Sequence, residues 1–344
     1  MGSNMGSPTR IIYPNPTQIE KNLYLCRNNC AMAYQPPYKI TPKITNLVSQ
    51  ISEAVGSYAS YAHEDLRLHR VNRIKTIKGT LAIEGNTLST EQITAVLDGK
   101  LVVAPINEVQ EVRNAIKAYE LLDTLNPYKV DDLLKAHATM EAGLIDDAGR
   151  FRKGGAGVMA GEQIIHYAPD ADRVPYLIND LFEWLANTDE HPLIASCVFH
   201  YEFEFIHPFA DGNGRTGRLW QTLILSRWRE IFKNLPIENI VYKYQQEYYR
   251  AIAVSGGVDG CTPFIEFILG VIAEVVSPIE QPILSTQERI LRELQRSPQI
   301  TRNELAQIIG VSPDGVKYHL QKLSKEGIIR RIGSTRSGEW EVIK

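Results

Sequence analysis

Apolar residues recur at intervals of three and four along most of this 344-residue chain, and this spacing constrains the fold more than any other feature. The stretch 105–125 shows it clearly, with apolar side chains on one helix face at Ile106, Val109, Val112, Ile116, Tyr119 and Leu122. Eight further stretches carry the same periodicity: 44–62, 65–83, 130–141, 172–187, 193–206, 215–230, 244–254 and 262–276. The sequence therefore predicts a mainly helical body.

Two segments interrupt the helical pattern. Residues 158–168 contain Gly161-Glu162 between short apolar runs, which is typical of a small β-hairpin. The run Ser277-Pro-Ile-Glu-Gln-Pro282 is rich in proline and predicts a domain boundary. The predicted organisation has five parts: an extended arm over 1–40, an N-terminal helical region over 41–104, a central core over 105–277, a linker over 278–284 and a second domain over 285–344.

Composition excludes several classes of protein. Hydrophobic residues make up 44% of the chain and charged residues 22%, which is typical of globular domains. The longest apolar stretch, near 268–278, contains Glu274, so we expect no membrane span. The first seven residues resemble an expression tag rather than a targeting segment. The four cysteines lack the paired spacing of a zinc site and favour a reduced, cytoplasmic setting.

One segment between two predicted helices has the composition of a phosphate site: His207-Pro-Phe-Ala-Asp-Gly-Asn-Gly-Arg-Thr-Gly-Arg218. Gly212 and Gly214 permit a tight turn that can approach a ligand closely. The helix that follows offers unpaired N–H groups and the positive end of its dipole, both of which favour an anion. The segment therefore predicts a loop that cradles phosphate.

The remaining polar residues of this loop suit transfer chemistry on a phosphate. Asp211 can hold a divalent cation shared with phosphate oxygens, and Asn213 can donate a hydrogen bond to a phosphate. Arg215 and Arg218, three residues apart on the first helical turn, provide forked donors. His207 can accept a proton from an incoming hydroxyl at neutral pH. Each residue alone has an ordinary structural explanation, but the combination favours a catalytic site.

The same twelve positions resemble the signature of the Fic family, H-P-F-x-[D/E]-G-N-G-R-x-x-R, and match it at every fixed position. The resemblance extends over about residues 40–280. It includes Gly149-Arg-Phe-Arg152, which is similar to the turn before the family's β-hairpin flap, and His200-Tyr-Glu-Phe-Glu-Phe-Ile before the loop. It implies a helical Fic fold with a small β-hairpin flap.

The resemblance also implies an activity, the transfer of AMP from ATP to a Ser, Thr or Tyr hydroxyl of a protein. His207 would deprotonate that hydroxyl, and Asp211 would bind Mg²⁺ between the α- and β-phosphates. Asn213 and the amides of Gly212 and Gly214 would hold phosphates. Arg215 would contact the β-phosphate and Arg218 the γ-phosphate. Phosphoryl-type transfer depends mainly on positioning and charge neutralisation, which agrees with these roles.

Two further regions gain a role from the resemblance. The hairpin would pair with the backbone of the target protein as an added strand, through Ile164, Ile165, His166 and Tyr167. The alternative is a hairpin that only packs against the body. Tyr248 and Tyr249 are similar to a family segment that lines the adenine pocket, although tyrosines on an amphipathic helix are commonly core residues.

An inhibitory element is predicted upstream. Gly85 and Asn86 are residues that end helices, and Ser89-Thr-Glu-Gln92 is a capping box that begins another. Glu84 therefore lies in the last turn of a helix, where its charge is unfavourable with the dipole. Thr80-x-x-x-Glu84-Gly85 resembles the inhibitory motif [S/T]-x-x-x-E-[G/N] of the family's second class. This implies that Glu84 pairs with Arg218 and removes the donor that the γ-phosphate needs.

The C-terminal domain is predicted to be a winged helix. From Ile283 the chain has 11 basic and 7 acidic residues, so this part carries +4 while the remainder carries −7 of the net −3. It resembles winged helix-turn-helix regulators in Ser312-Pro-x-x-Val-x-x-His-Leu-x-x-Leu and Glu326-Gly-Ile-Ile-Arg. The candidate DNA contacts lie on its third helix and wing: Lys317, Tyr318, His319, Lys322 and Arg331.

The sequence leaves alternatives open. A DNA-binding regulator whose helical body senses nucleotide would have the same motifs, and some Fic proteins with the inhibitory glutamate also remove AMP from their target. Winged helices serve as protein contacts as well as DNA-binding modules. The partners expected are therefore ATP, a target protein and, as an alternative, DNA, with a homodimer left open.

Overall fold

The computed structural model describes residues 34–59, 66–160, 163–277, 285–333 and 338–343. The chain divides into a larger unit that ends at Ser277 and a smaller unit that follows. Most of the predicted arm, residues 1–33, and all of the predicted linker, residues 278–284, lie outside the described residues. In the described part of the chain, no helix has the length and apolar character needed to cross a membrane.

The described part of the larger unit is helical, as the apolar spacing predicts. Its helices are α1 (Pro42–Ala59), α2 (Leu66–Ile83), α3 (Thr90–Leu97), α4 (Ile106–Glu120), α5 (Val130–Met140), α6 (Val174–Asn187), α7 (Pro192–Ile206), α8 (Asn213–Trp228), α9 (Ile237–Lys243), α10 (Gln245–Val254) and α11 (Thr262–Val276). Helix α9 was not predicted, because seven residues are too few to show a periodicity.

Helices α7 and α8 form the centre of the larger unit. They pack against each other, and nearly every residue of both is buried. A helix buried on all sides needs neighbours all round. Helix α7 packs on α6 and α11, helix α8 packs on α5, and α2 packs on α9. The loop that joins α7 to α8 is the segment His207–Gly212, so the packing of the two central helices fixes the position of the predicted phosphate loop.

Between α5 and α6 the chain forms the predicted hairpin, with strands β1 (Gly157–Ala160) and β2 (Gln163–Tyr167). The strands are antiparallel, with Gly157 opposite Tyr167 and Ala160 opposite Gln163. A register shift lies between Val158 and Met159. The hairpin turn, Gly161-Glu162, lies outside the described residues.

The described end of the arm is attached to the body. The backbone N–H of Cys261 donates to the carbonyl of Pro37 at 2.9 Å, and Tyr38 forms an isolated β-bridge with Gly260. The Tyr34 hydroxyl donates to the buried carboxylate of Glu202 at 2.5 Å. Residues 34–40 therefore run along the surface next to α11.

The smaller unit has the three helices and two strands of the predicted winged helix. These are α12 (Thr286–Arg296), α13 (Arg302–Ile309), α14 (Pro313–Lys325), β3 (Ile329–Ile332) and β4 (Glu339–Val342). The predicted capping box from Thr301 to Glu304 and the predicted cap of α14 by Ser312 are both present. The core is formed by one face of each helix and the start of β3, and includes Ile290, Leu294, Leu305, Val316, Leu320 and Ile329.

Candidate active site

His207 ends helix α7 in a left-handed backbone conformation, with φ of 49° and ψ of 62°. It is the one non-glycine residue with positive φ among the described residues. This conformation is strained for a residue with a Cβ atom and costs about 1–2 kcal/mol. The N–H of His207 still donates to the carbonyl of Phe203 at 2.9 Å. The strained residue turns the chain out of α7 and into the loop.

Asn213 closes this loop with its side chain. Its Oδ1 accepts from the N–H of Phe209 at 2.8 Å, and its Nδ2 donates to the carbonyl of Phe209 at 2.9 Å. The side chain is 2% exposed. This differs from the predicted phosphate contact, because the amide group is already paired with the backbone on both of its atoms. In the structure Asn213 shapes the loop by bonding both backbone groups of Phe209.

Gly212 is needed at the start of α8 for two reasons. Its φ is +77°, and a Cβ at this position would lie 2.1 Å from a carboxylate oxygen of Glu141. Glu141 follows α5, is buried, and was not identified from the sequence. Burial raises the pKa of Glu141 to about 7, although the charge of Arg215 opposes that rise.

Arg215 is buried among acidic side chains. Its Nη2 lies 3.2 Å from Glu141 and 3.4 Å from Asp211, and its Nη1 lies 3.8 Å from Glu111. Its Nε and Nη1 are buried and have no hydrogen-bond partner among the described residues. Buried donors without partners are costly, so this guanidinium has unused capacity for an anionic ligand.

Arg218, one turn further along α8, is held by the end of helix α2. Its Nε donates to the Thr80 hydroxyl at 3.0 Å, and its Nη2 donates to the Thr80 carbonyl at 3.0 Å. Nη2 also donates to Glu84 at 2.6 Å, which is the ion pair that the sequence predicts. The side chain of Arg218 is 2% exposed and that of Glu84 35%.

The Glu84 carboxylate also lies at the N-terminal end of α8. A Cβ on Gly214 would be 2.4 Å from its Oε1, so the glycine at this position makes room for the carboxylate. Helix N-termini favour negative charge through their unpaired N–H groups and their dipole. Glu84 therefore sits where an anionic ligand of this loop would gain the same interactions.

A buried carboxylate lies behind His207. Glu204 is 3% exposed and its Oε2 is 3.8 Å from Nδ1 of His207. Burial raises the pKa of Glu204 to about 8, an effect that nearby Arg218 reduces. The Nε2 of His200 lies 3.8 Å from the same carboxylate. Sequence reasoning missed Glu204, because an acidic residue within a run of aromatic residues has no distinguishing pattern.

Tyr248 is a core residue rather than an exposed surface for stacking, which corrects the predicted adenine contact. Its ring is 1% exposed, and its hydroxyl lies 3.2 Å from Nε2 of His200. Tyr249 is partly exposed, and its hydroxyl lies 3.4 Å from the carbonyl of Ile83. Gln245 donates to the same carbonyl at 2.7 Å. These two side chains therefore contact the residue before Glu84.

His137 connects the loop to the segment before the hairpin. Its Nδ1 accepts from the N–H of Gly149 at 2.8 Å, and its Nε2 lies 2.9 Å from the carbonyl of Asp211. Its ring stacks on Phe209 with centroids 3.6 Å apart. Burial lowers the pKa of His137 to about 4, so the ring is neutral near pH 7 and can donate from Nε2 while accepting at Nδ1. A histidine in an amphipathic helix gave no signal for this role.

The flap residues are only partly described. Strand β2 includes all four predicted docking residues, but the side chains of Ile164, Ile165 and His166 lie outside the described part. Tyr167 is 67% exposed. On the backbone, the Ala168 N–H donates to the carbonyl of Ala156 at 3.0 Å and closes the base of the hairpin.

The predicted DNA contacts lie in the smaller unit. Lys317 and Lys322 are exposed on α14 and Tyr318 is 63% exposed, while His319 is half-buried. Lys322 lies 4.0 Å from Glu326. Arg331 is exposed on β3, with its guanidinium carbon 4.9 Å from the ring centre of Trp340.

Two family models match the chain. The model of the Fic/DOC family matches residues 127–225, and a model described as winged helix-turn-helix DNA-binding matches residues 283–330. The first match contains the loop with His207, and the second begins just before the first described residue of the smaller unit. Each model therefore matches a different one of the two compact units.

Solved structures resemble the chain over most of its length. A Fic family protein from Desulfovibrio desulfuricans G20 is 44% identical, and the alignment covers 90% of this chain and 98% of that chain with a TM-score of 0.70. Fic-1 from Caenorhabditis elegans has a similar fold at 24% identity, with 69% of this chain and 72% of that chain covered and a TM-score of 0.57.

Curated relatives match a smaller share. The protein adenylyltransferase Fic of Nematostella vectensis is 29% identical over 198 residues, and the protein adenylyltransferase fic-1 of Caenorhabditis elegans is 30% identical over 217 residues. These alignments cover 54% and 59% of this chain but only 44% and 40% of the relatives. The chain therefore spans less than half the length of these two proteins.

Proposed function

The chain belongs to the Fic family, and from this premise we propose that it transfers AMP from ATP to a hydroxyl side chain of a protein. One observation carries the proposal. The structure brings His207, at the end of α7, and Arg215 and Arg218, at the start of α8, to opposite ends of one tight loop. One loop that carries a proton acceptor and two buried guanidinium groups supports this transfer.

The reaction joins the target oxygen to the α-phosphorus. The imidazole of His207 takes the proton of the Ser, Thr or Tyr hydroxyl as its oxygen attacks. The bond between the α-phosphorus and the bridging oxygen to the β-phosphate breaks, and pyrophosphate leaves with the bond electrons. The unused donors of Arg215 and the amides at the start of α8 stabilise the negative charge on the phosphates.

The donor set fits a magnesium ion shared with the nucleotide. The Asp211 side chain is 63% exposed beside the loop, and the described residues contain no cluster of three or more acidic, histidine or cysteine ligands. Mg²⁺ is commonly bound by one or two carboxylates together with substrate phosphates and water. Asp211 would hold the ion, which supplies charge neutralisation for the phosphates when it is bound.

Autoinhibition by Glu84 is part of the proposal. Glu84 takes up one Nη2 hydrogen bond of Arg218 and lies over Gly214, at the end of α8 where phosphates would bind. When Glu84 occupies Arg218, the γ-phosphate of a nucleotide cannot contact this arginine. The nucleotide then binds in a different pose, in which its α-phosphorus is out of line with the target hydroxyl. The helix α2 itself stays attached to Arg218 through Thr80, so release needs movement of the Glu84 side chain only.

The substitution Glu84→Gly tests both parts. A hydrogen bond between charged groups contributes about 1.5–3 kcal/mol, so its removal should raise AMP transfer about 10- to 100-fold. His207→Ala in the same background should lower transfer about 10²- to 10⁴-fold. The variants are incubated with MgCl2, cell lysate and ATP labelled at the α-phosphate. Labelled bands are counted and then identified by mass spectrometry.

The controls separate relief of autoinhibition from general effects of a substitution on the protein. Glu183→Gly removes an exposed carboxylate from α6 and should leave labelling as in the unmodified protein. ATP labelled at the γ-phosphate should give no band that depends on the added protein, because in AMP transfer that phosphate leaves with pyrophosphate. Equal labelling by the unmodified protein and Glu84→Gly would contradict autoinhibition. Unchanged labelling by His207→Ala would contradict the assigned base.

A second function is proposed for the smaller unit, binding of DNA. The observation that favours it is the winged helix itself, whose third helix has Lys317, Tyr318 and Lys322 exposed while its opposite face forms the core. Such a helix can enter a major groove, and basic side chains beside it contact phosphates. This function is compatible with AMP transfer by the larger unit.

A further inference from the structure

Arg152 lies in the segment between α5 and the hairpin and is 5% exposed. Its guanidinium donates to four main-chain carbonyl groups. Nε donates to His207 at 2.7 Å, and Nη1 to Gly154 at 2.7 Å. Nη2 donates to Pro169 at 2.5 Å and to Ile206 at 3.3 Å. Burial lowers the pKa of Arg152, so the charge is held at a cost that these four carbonyl groups offset.

The four carbonyl groups belong to two parts of the site. Gly154 comes just before β1 and Pro169 just after β2, so these carbonyls mark the two ends of the hairpin. Ile206 and His207 lie at the end of α7, and His207 is the proposed base. One planar side chain therefore joins both ends of the hairpin to the backbone of the base.

The backbone near Arg152 makes further connections to the same loop. The N–H of Arg152 donates to the carbonyl of Pro208 at 2.9 Å, and the ring of Phe151 stacks on Phe209 with centroids 5.7 Å apart. Together with the hydrogen bonds of His137, these contacts attach the segment before the hairpin to the loop, near the start of the loop and near its end. Among the described residues, these contacts between the hairpin segment and the loop lie at the base of the hairpin.

We propose that Arg152 is a positioning residue that sets the hairpin at a fixed distance from His207. The family resemblance implies that the target backbone pairs with the hairpin, and the hairpin would then determine where the target hydroxyl lies relative to the imidazole. Arg152 makes the hairpin and the base one rigid unit. The inference rests on the proposed function for its catalytic consequence, but its structural part, the restraint of the hairpin, does not depend on any activity.

The alternative is that Arg152 only caps the end of α7. Arginine side chains commonly bind the last carbonyl groups of a helix and stabilise it. A cap would affect the stability of α7 and of the whole unit. A positioning residue would affect the motion of the hairpin and the turnover rate more than overall stability or nucleotide binding.

The test replaces Arg152 with Lys and with Gln in the Glu84→Gly background of the full chain. Lys keeps the charge but loses the fork that reaches carbonyl groups in several directions, and Gln keeps one short amide donor. Arg150→Lys is the matched control, because Arg150 lies two residues away on the same turn and is exposed. Amide hydrogen exchange is followed in peptides covering 157–167 and 193–206, and steady-state AMP transfer is measured at several ATP concentrations.

We expect both Arg152 variants to exchange hairpin amides about tenfold faster or more, while peptides of α7 keep their protection. Turnover should fall about 10- to 100-fold with the KM for ATP unchanged, since a displacement of 1 Å at the reacting groups has an effect of this size. Arg150→Lys should match its parent in both measurements.

Three results would overturn the proposal. Unchanged exchange of 157–167 would show that Arg152 does not restrain the hairpin, and this holds even if no variant transfers AMP. Loss of protection in α7 to the same extent as in the hairpin would identify a helix cap. Failure of both variants to fold, while Arg150→Lys folds, would show that Arg152 supports the whole unit.

Discussion

At the scale of single residues, the site depends on buried ionisable groups that are held in one form. His200 lies in the middle of α7, fully buried, with Nδ1 2.7 Å from Gln221 and Nε2 3.2 Å from Tyr248. Burial lowers the pKa of His200 to about 3. The neutral ring donates from Nδ1 and accepts at Nε2, which fixes the ring behind the carboxylate of Glu204.

This pKa predicts how stability depends on pH. The folded pKa of about 3 lies below the unfolded value of about 6.5, so the unfolded chain binds the proton first as pH falls. The stability that His200 contributes is present above pH 6.5 and is lost progressively towards pH 3. Between pH 7 and pH 5 the loss is about 2 kcal/mol.

The variant His200→Gln isolates this effect, because the other titrating groups are present in both proteins. At pH 7 it should be less stable than the unmodified chain by about 1–3 kcal/mol, through lost hydrogen bonds. The difference should narrow by about 2 kcal/mol at pH 5. Urea unfolding of both proteins at the two pH values measures it. If the difference in unfolding free energy between the two proteins is the same at pH 7 and pH 5, His200 binds its proton as readily in the folded protein as in the unfolded chain.

At the scale of elements, the position of helix α2 depends on one glycine. A Cβ on Gly79 would lie 2.5 Å from backbone atoms of Glu238 and Asn239, so α2 and α9 approach at this point more closely than any side chain permits. Thr80 lies on the same helix and Glu84 directly follows its last residue, and both hold Arg218. The close packing of two helices therefore sets the distance between the carboxylate and the guanidinium.

Gly79→Ala should separate the two helices. Overpacking of this kind destabilises by about 1–3 kcal/mol, which corresponds to a fall in Tm of about 2–4 °C per kcal/mol. AMP transfer should rise, because Glu84 moves away from Arg218. Gly56→Ala is the matched control: its Cβ meets no atom within 4 Å, and it should stabilise α1 by about 0.5–1 kcal/mol. Thermal unfolding and labelling of both variants provide the measurements, and equal Tm values would contradict the packing argument.

The sequence predicted the elements of this site better than its contacts. The loop from His207 to Arg218 matches the fixed positions of the Fic signature. The spacing of its glycines and arginines alone indicates a loop that can cradle phosphate. The structure adds three residues whose contact partners are far away in sequence: Arg152, His137 and Glu141. No local sequence pattern near these residues indicates those partners. Asn213 was assigned to phosphate because its amide suits an anion, whereas Phe209, four residues before it, supplies both of its partners.

At the scale of the whole molecule, charge is divided between the two units. The net charge of −3 combines +4 from residue 283 onward with −7 over the rest. An acidic body would bind phosphate only through local donors, and Arg215 and Arg218 are buried donors of this kind. A polyanion such as DNA would instead be attracted to the basic smaller unit.

DNA binding by this unit should therefore depend on salt and on α14. Each lysine that contacts a phosphate contributes about one unit to the slope of log affinity against log salt concentration. The variants Lys317→Ala and Lys322→Ala should therefore each weaken DNA binding and reduce this slope by about 1. Arg296→Ala removes an exposed basic residue from α12 and should change the affinity less than either. Fluorescence anisotropy with labelled duplex DNA at several salt concentrations measures both quantities for the full chain. An equal loss of affinity in all three variants would indicate attraction by net charge alone, and binding that is independent of salt would contradict phosphate contacts.

With the lysine effects present, the same titration repeated with ATP and Mg²⁺ shows whether nucleotide binding in the larger unit alters the affinity for DNA.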